Sequence, residues 1–150
     1  MTNHNISFVP STSKKEIEEI YNFNVLVFAD SQDFTWTKDN IANELKDGWK
    51  LYSVKSEKDI ICVLFIKLDN NKLLTKNTPV KLNYQGNGLS HLIKEFYEQY
   101  AGEKGVSTII NYCPDDNFRM ISLNEGHDYQ KTGNVLGENE NILEWIKNLK

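Results

Sequence analysis

The residues with the clearest chemical potential lie in the stretch NYQGNGLSHLIKEFYEQY, Asn83 to Tyr100. Gly86 and Gly88 stand one residue apart there, immediately before a strongly periodic apolar pattern. A helix start leaves backbone N–H groups without partners, and those groups carry the positive end of the helix dipole. Glycine lets a bulky anion reach that backbone with no Cβ in the way. A Gly-x-Gly turn leading into a helix can therefore cradle a phosphate. The competing reading is a plain strand-to-helix turn that binds nothing, and two glycines alone do not separate the two. No Lys-Ser/Thr follows the glycines, which argues against a nucleotide-binding P-loop.

Other residues offer weaker chemistry. Asp30, Asp33, Asp39, Glu44 and Asp47 crowd one region and could attract a cationic amine. A solvated helix face accounts for them as well and is the favoured reading. Phe34 and Trp36 could line a pocket there or sit in the core. Cys62 lies inside an apolar run and reads as a buried core thiol, whereas Cys113 ends the run STIINYC and is expected to be more accessible. Two cysteines in 150 residues make no disulfide framework, so a reducing cytoplasm is the expected compartment. With no zinc-spaced Cys/His cluster, no metal site is expected. A net charge of −4 and the lack of a basic run argue against nucleic acid as a partner. The start MTNHNISFVP lacks the basic and apolar regions of a secretory signal, and the longest apolar run, Ile60 to Ile66, is too short to span a bilayer. No membrane partner is expected.

These residues need elements to position them. The length suits one domain, residues 1–150, with a real core. ISFVP, Ile6 to Pro10, alternates as a short strand. Ser13 and Glu16 have capping-box spacing and open a helix with an apolar face of Ile17, Ile20, Tyr21 and Phe28. Thr37 can cap a second helix carrying Ile41, Ala42 and Leu45, which Gly48 ends. Trp49 to Val54 reads as a strand, KSEKD as its turn, and Ile60 to Ile66 as a central strand covered on both faces. LDNNK turns the chain into a strand from Leu73 to Leu82, where Pro79 breaks pairing. The helix after Gly88 turns Leu89, Leu92, Ile93, Phe96, Tyr97 and Tyr100 inward. Ser107 to Cys113 is a strand, PDDN opens a helix with Phe118, Ile121, Met120 and Leu123 inward, and DYQKTGNV is a further strand. The tail NILEWIKNLK carries both periodicities, with strand favoured. The result is a mixed α/β layout around a single sheet.

At this point the chain resembles the GCN5-related N-acetyltransferase (GNAT) superfamily. The family's acyl-CoA motif is Gln/Arg-x-x-Gly-x-Gly/Ala after the fourth strand, and here it reads Gln85, Gly86, Asn87, Gly88, Leu89, Ser90, with serine as the final small residue. One subgroup also carries N-x-x-M-x-x-L/I-N-x-x-L-G-F, matched here by Asn117, Met120, Leu123 and Asn124. His127, Asp128 and Tyr129 stand where Leu, Gly and Phe are usual. Asp128 departs from a glycine that adopts a turn other residues resist, although Asp tolerates that conformation comparatively well.

The resemblance implies a mostly antiparallel mixed sheet of six to seven strands with about four helices and splayed central strands. It implies acetyl-CoA, or another acyl-CoA, as co-substrate and a small-molecule or peptide amine as acceptor, in a monomer or homodimer. Backbone N–H groups from Gly86 to Ser90 would hold the pyrophosphate, with Gln85 orienting the loop. The pantetheine arm would run along Val80 to Leu82, and Asn117 and Asn124 would stand near its thioester end. Asn117 reads equally as a helix N-cap. Asn124 occupies the place of a tyrosine that many members use as proton donor, and an amide cannot serve so. Tyr112 and Tyr129 are the remaining candidates for that role. Asp33, Phe34 and Trp36 would fall on the acceptor side. The implied activity is N-acyl transfer by direct amine attack, with a catalytically silent acyl-CoA-binding module as the alternative.

Overall fold

The computed structural model describes residues 6–27, 38–77, 84, 88–137 and 140–149. The expectations placed on Phe28, Asp33, Phe34, Trp36, Thr37, Pro79, Val80, Leu82, Gln85, Gly86 and Asn87 fall outside these residues. The elements follow in the order β1 (Ile6–Pro10), α1 (Lys14–Val27), α2 (Lys38–Lys46), β2 (Lys50–Ser56), β3 (Asp59–Asp69), β4 (Lys72–Asn77), α3 (Leu89–Glu103), β5 (Thr108–Pro114), α4 (Phe118–Gly126), β6 (Gln130–Leu136) and β7 (Ile142–Asn148). The strands form a seven-stranded mixed sheet, ordered β1-β2-β3-β4-β5-β7-β6. By contacts the chain divides into two compact units, Met1–Ile66 with Asn77–Gln85, and Lys67–Lys76 with Gly86–Lys150.

In the first unit, α1 opens as the capping box requires. Glu16 N donates to Ser13 Oγ at 3.1 Å and Ser13 N donates back to Glu16 Oε1 at 3.0 Å. Gly48 closes the α2 segment with φ 95°, a left-handed conformation that glycine adopts at little cost. β1 and β3 both pair antiparallel with β2, with an irregularity between Val54 and Lys55. Ile20, Phe23, Ile41, Leu51, Val63 and Phe65 form the core, with Ile17, Tyr21, Leu45, Trp49 and Ile60 packed against it. Successive strand residues point to opposite faces, yet Ile61 to Ile66 are all buried, so β3 is covered on both sides. Each such burial contributes about 1.5–3 kcal/mol. Ala42, expected inward, is exposed. Lys55 and Ser56, expected in a turn, extend β2 instead, and the reversal is compressed into Glu57 and Lys58, with Glu57 at φ 57°.

In the second unit, β4 and β5 run parallel, β5 and β7 antiparallel, and β6 and β7 antiparallel with an irregularity between Lys131 and Val135. The tail is a strand. α3 buries Leu89, Ile93, Lys94, Tyr97, Tyr100 and Ala101. Leu92 instead lies 41% exposed, because the buried stripe rotates toward Lys94 and away from it. Phe118, also expected inward, is 75% exposed on the first turn of α4, whose buried residues are Met120 and Asn124. Cys62 is buried as expected, but Cys113 is buried too, because β5 is covered where it was expected to emerge. Asp128 takes φ 67°, so the glycine-like turn before β6 is kept with an aspartate in it.

Candidate active site

The head of α3 is built around Gly88. It is the helix N-cap at φ 77°, and a Cβ added there would meet nothing within 4 Å among the described residues. The glycine is therefore favoured by backbone conformation, and no described side chain crowds it. His91 N and Leu92 N donate to Gly88 O at 3.1 and 3.3 Å. The N–H groups of Leu89 and Ser90 precede these bonds and lack an intrahelical acceptor. The first turn carries no acidic residue, so the positive end of the dipole is uncompensated there. A diphosphate group fits this end of the helix by donor supply and sign of charge. Leu89 can offer only its backbone, since its side chain is buried, while Ser90 is half-buried.

β5 pairs with β7 along its whole length, from Thr108↔Asn148 to Pro114↔Ile142. Among the described residues its parallel register with β4 runs from Lys72↔Thr108 to Thr75↔Asn111 and ends there. Strands meant to part for an extended ligand would begin to do so at this point.

A buried polar chain starts at that same place. Thr75 Oγ1 donates to Ile110 O at 2.7 Å, and Asn111 Nδ2 donates to Thr75 Oγ1 at 3.0 Å. Asn124 Nδ2, from α4, donates to Asn111 Oδ1 at 3.1 Å, and Lys94 Nζ, from α3, donates to Asn124 Oδ1. Thr75, Asn111 and Asn124 are fully buried and Lys94 is 2% exposed. The ammonium lies 4.2 Å from the Tyr129 ring centroid and 5.9 Å from that of Tyr97. Burial brings the Lys94 pKa down to about 7, because desolvation penalises the charged form. The same cause pushes the Cys113 thiol up to about 12, so this neighbour is neutral at pH 7 and supplies no counter-charge. Glu98 favours the charged amine and Lys147 opposes it, and these two pair with each other at 3.1 Å.

The catalytic candidates Asn124, Tyr112 and Tyr129 are not brought together as a set. Asn124 is committed at both ends of its amide, to Lys94 and Asn111. Tyr129 shares the Lys94 cluster, and burial raises its pKa; its buried hydroxyl has no hydrogen-bond partner among the described residues. Tyr112 alternates with Asn111 and Cys113 along β5 and so faces the other side of the sheet, with its pKa raised by burial and by Glu144. Asn117 caps α4, accepting from Met120 N at 3.1 Å. Of the acidic cluster, Asp39 and Asp47 are exposed and Glu44 half-buried, and Asp30 and Asp33 lie outside the described residues. Sequence reasoning missed Lys94, Thr75 and Asn111. The signal was present for Lys94: it precedes Tyr97 by three residues and Ala101 by seven, the spacing of one helix face.

No family model and no curated protein matches the chain by sequence. Solved structures do match. An acetyltransferase from Thermus thermophilus superposes with a TM-score of 0.76 at 14% identity, over 99% of this chain and 100% of that one. A GNAT family acetyltransferase from Elizabethkingia anophelis, crystallised with acetyl-CoA bound, gives 0.72 at 17% identity, over 97% and 99%. The ribosomal-protein-S18-alanine N-acetyltransferase from Escherichia coli gives 0.72 at 15% identity, over 96% and 92%. These likenesses bear on the fold and leave the N-x-x-M-x-x-L-N subgroup untouched. The superposition over nearly the whole of each chain shows that this seven-stranded mixed sheet with its four helices has the GNAT fold.

Proposed function

We propose that this protein is an acyl-CoA-dependent N-acyltransferase that moves an acetyl group from acetyl-CoA to a primary amine by direct attack. The observation that carries the reading is the left-handed Gly88 at the head of α3, with no described residue crowding it. Leu89 and Ser90 N–H would hold the pyrophosphate, joined by Gln85, Gly86 and Asn87 from the preceding turn. Val80 to Leu82 would accompany the pantetheine arm, with Asn117 near its thioester end. Acetyl-CoA supplies a thioester whose thiolate leaves readily, since a thiol's pKa is only ~8.5. A side-chain acid is thus helpful and not obligatory, which suits a site whose Asn124 cannot donate a proton. The acceptor would be a small-molecule or peptide amine, met on the side of Asp33, Phe34 and Trp36, in a cytoplasmic monomer or homodimer.

A second reading, an acyl-CoA-binding module without turnover, is favoured by one observation: both ends of the Asn124 amide are already engaged inside the protein. Turnover with a panel of amines separates the two. Binding itself is tested by calorimetry with acetyl-CoA. Gly88→Asp keeps a residue that tolerates positive φ but sets a carboxylate against the phosphates. It should abolish the heat of binding and the ligand-induced rise in melting temperature while leaving a cooperative melt. Absence of both signals in the parent protein would refute the cofactor assignment.

A further inference from the structure

Buried lysines are rare unless paired with an acid, and Lys94 is buried against an amide and two aromatic rings. A leucine or methionine in its place would spare the protein the desolvation of an amine. What the amine does is visible in the hydrogen bonds. Its bond fixes Asn124 Oδ1, which orients the Asn124 amide so that Nδ2 meets Asn111 Oδ1. That in turn leaves Asn111 Nδ2 to hold Thr75 Oγ1, at the last register pair of β4 and β5. Every link joins a different pair of elements: α3 to α4, α4 to β5, β5 to β4.

We propose that Lys94 is a positioning residue for acyl-CoA: through Asn124, Asn111 and Thr75 it sets where β4 and β5 part, and so where the pantetheine arm enters. The inference rests on the proposed function, since it takes that arm as the occupant of the fork. The chain ends at a backbone carbonyl, Ile110 O, so the amine's orientation is passed to the main chain of β5 itself. The nucleotide half of the ligand would be held elsewhere, at the head of α3, and should not sense the amine.

That division supplies the test. Calorimetry would compare acetyl-CoA with adenosine 3′,5′-bisphosphate, which lacks the pantetheine arm, on the parent protein, Lys94→Met and Thr75→Val. Lys94→Met keeps the apolar stem and removes Nζ; Thr75→Val is nearly isosteric and cuts the far end of the chain. In both variants acetyl-CoA affinity should fall about tenfold, the net worth of about one hydrogen bond, while the bisphosphate binds as before. The parent's affinity for acetyl-CoA should also change between about pH 6 and pH 8 as Nζ changes charge, tighter on the acid side. The groups that face Nζ or share its field are Cys113 on β5, Tyr97 and Glu98 on α3, Tyr129 before β6, Lys147 on β7 and His127 at the end of α4. Lys94→Met should lose the amine's part of that change and keep any part due to His127. Equal losses for both ligands would assign the chain a merely structural role and overturn the proposal, as would unchanged affinity for acetyl-CoA. If Lys94→Met does not fold, Thr75→Val decides by the same criterion. A parent protein that binds no acetyl-CoA at all would instead refute the proposed function, and the inference with it.

Discussion

The charge state of Lys94 should be readable in the stability of the protein. Its pKa is about 7 when folded against an ordinary 10.5. Between those values the unfolded chain holds a proton that the native state has given up, so stability rises with pH across that window. The slope approaches 1.4 kcal/mol per pH unit, which amounts to about 2 kcal/mol between pH 7 and pH 9. The full penalty, present at pH values below 7, is about 5 kcal/mol. Above about pH 9 the sign reverses for the neighbours. Cys113 and Tyr129 have raised pKa values in the fold, so they keep protons there that the unfolded chain loses, and they oppose the gain. The clean window is therefore pH 7 to 9. Lys94→Met removes the penalty but leaves Asn124 Oδ1 without its donor, at a cost of about 1–3 kcal/mol. The variant should match or exceed the parent at pH 7, and its advantage should shrink by about 2 kcal/mol on going to pH 9. Urea unfolding of both proteins at several pH values measures this, and taking the difference cancels every group they share. A difference between the two proteins that does not change with pH would refute the buried, deprotonating amine.

Further outcomes follow from other parts of the structure. Leu64 is fully buried on β3, and Leu64→Ala should cost about 2–5 kcal/mol in the same unfolding experiment; a loss well under 1 kcal/mol would mean that β3 is not covered on both faces. Ser13→Ala removes half of the α1 capping box and should cost about 0.5–2 kcal/mol. The Glu16 pKa, held down first by the Ser13 backbone N–H and then by its hydroxyl, should rise only in part, because alanine keeps the backbone donor; an NMR titration showing the whole depression lost would count against the box. Neither cysteine is exposed, so at pH 8 both should react with a thiol reagent only as fast as the protein opens; prompt modification of one thiol in the native state would contradict the burial of Cys113.

Much of this molecule could be read from local patterns, because the forces that set them are local. The Ser13–Glu16 box, the Gly48 stop and the left-handed Gly88 each depend on the backbone within a turn of the residue. The run from Ile60 to Ile66 declared a strand covered on both faces because no polar face was available to meet water. The glycine spacing before α3 likewise marked a helix start, and α3 begins at Leu89. Helix faces were legible only in part. Periodicity identified α3 and hydrophobicity put Leu92 on its inner face, leaving Lys94 unread. The structure reversed that choice, because Asn124 on α4 offers the amine an acceptor thirty residues away in sequence. Phe118 and Cys113 misled for the same reason: whether a residue at the end of an element is covered depends on what arrives beside it from elsewhere in the chain. The sequence by itself determined element types, caps and the order of strands and helices, since propensity and periodicity act over a few residues. Only the tertiary structure decided that Thr75, Asn111, Asn124 and Lys94 form one buried chain, because each of their hydrogen bonds spans a separation that no local pattern records.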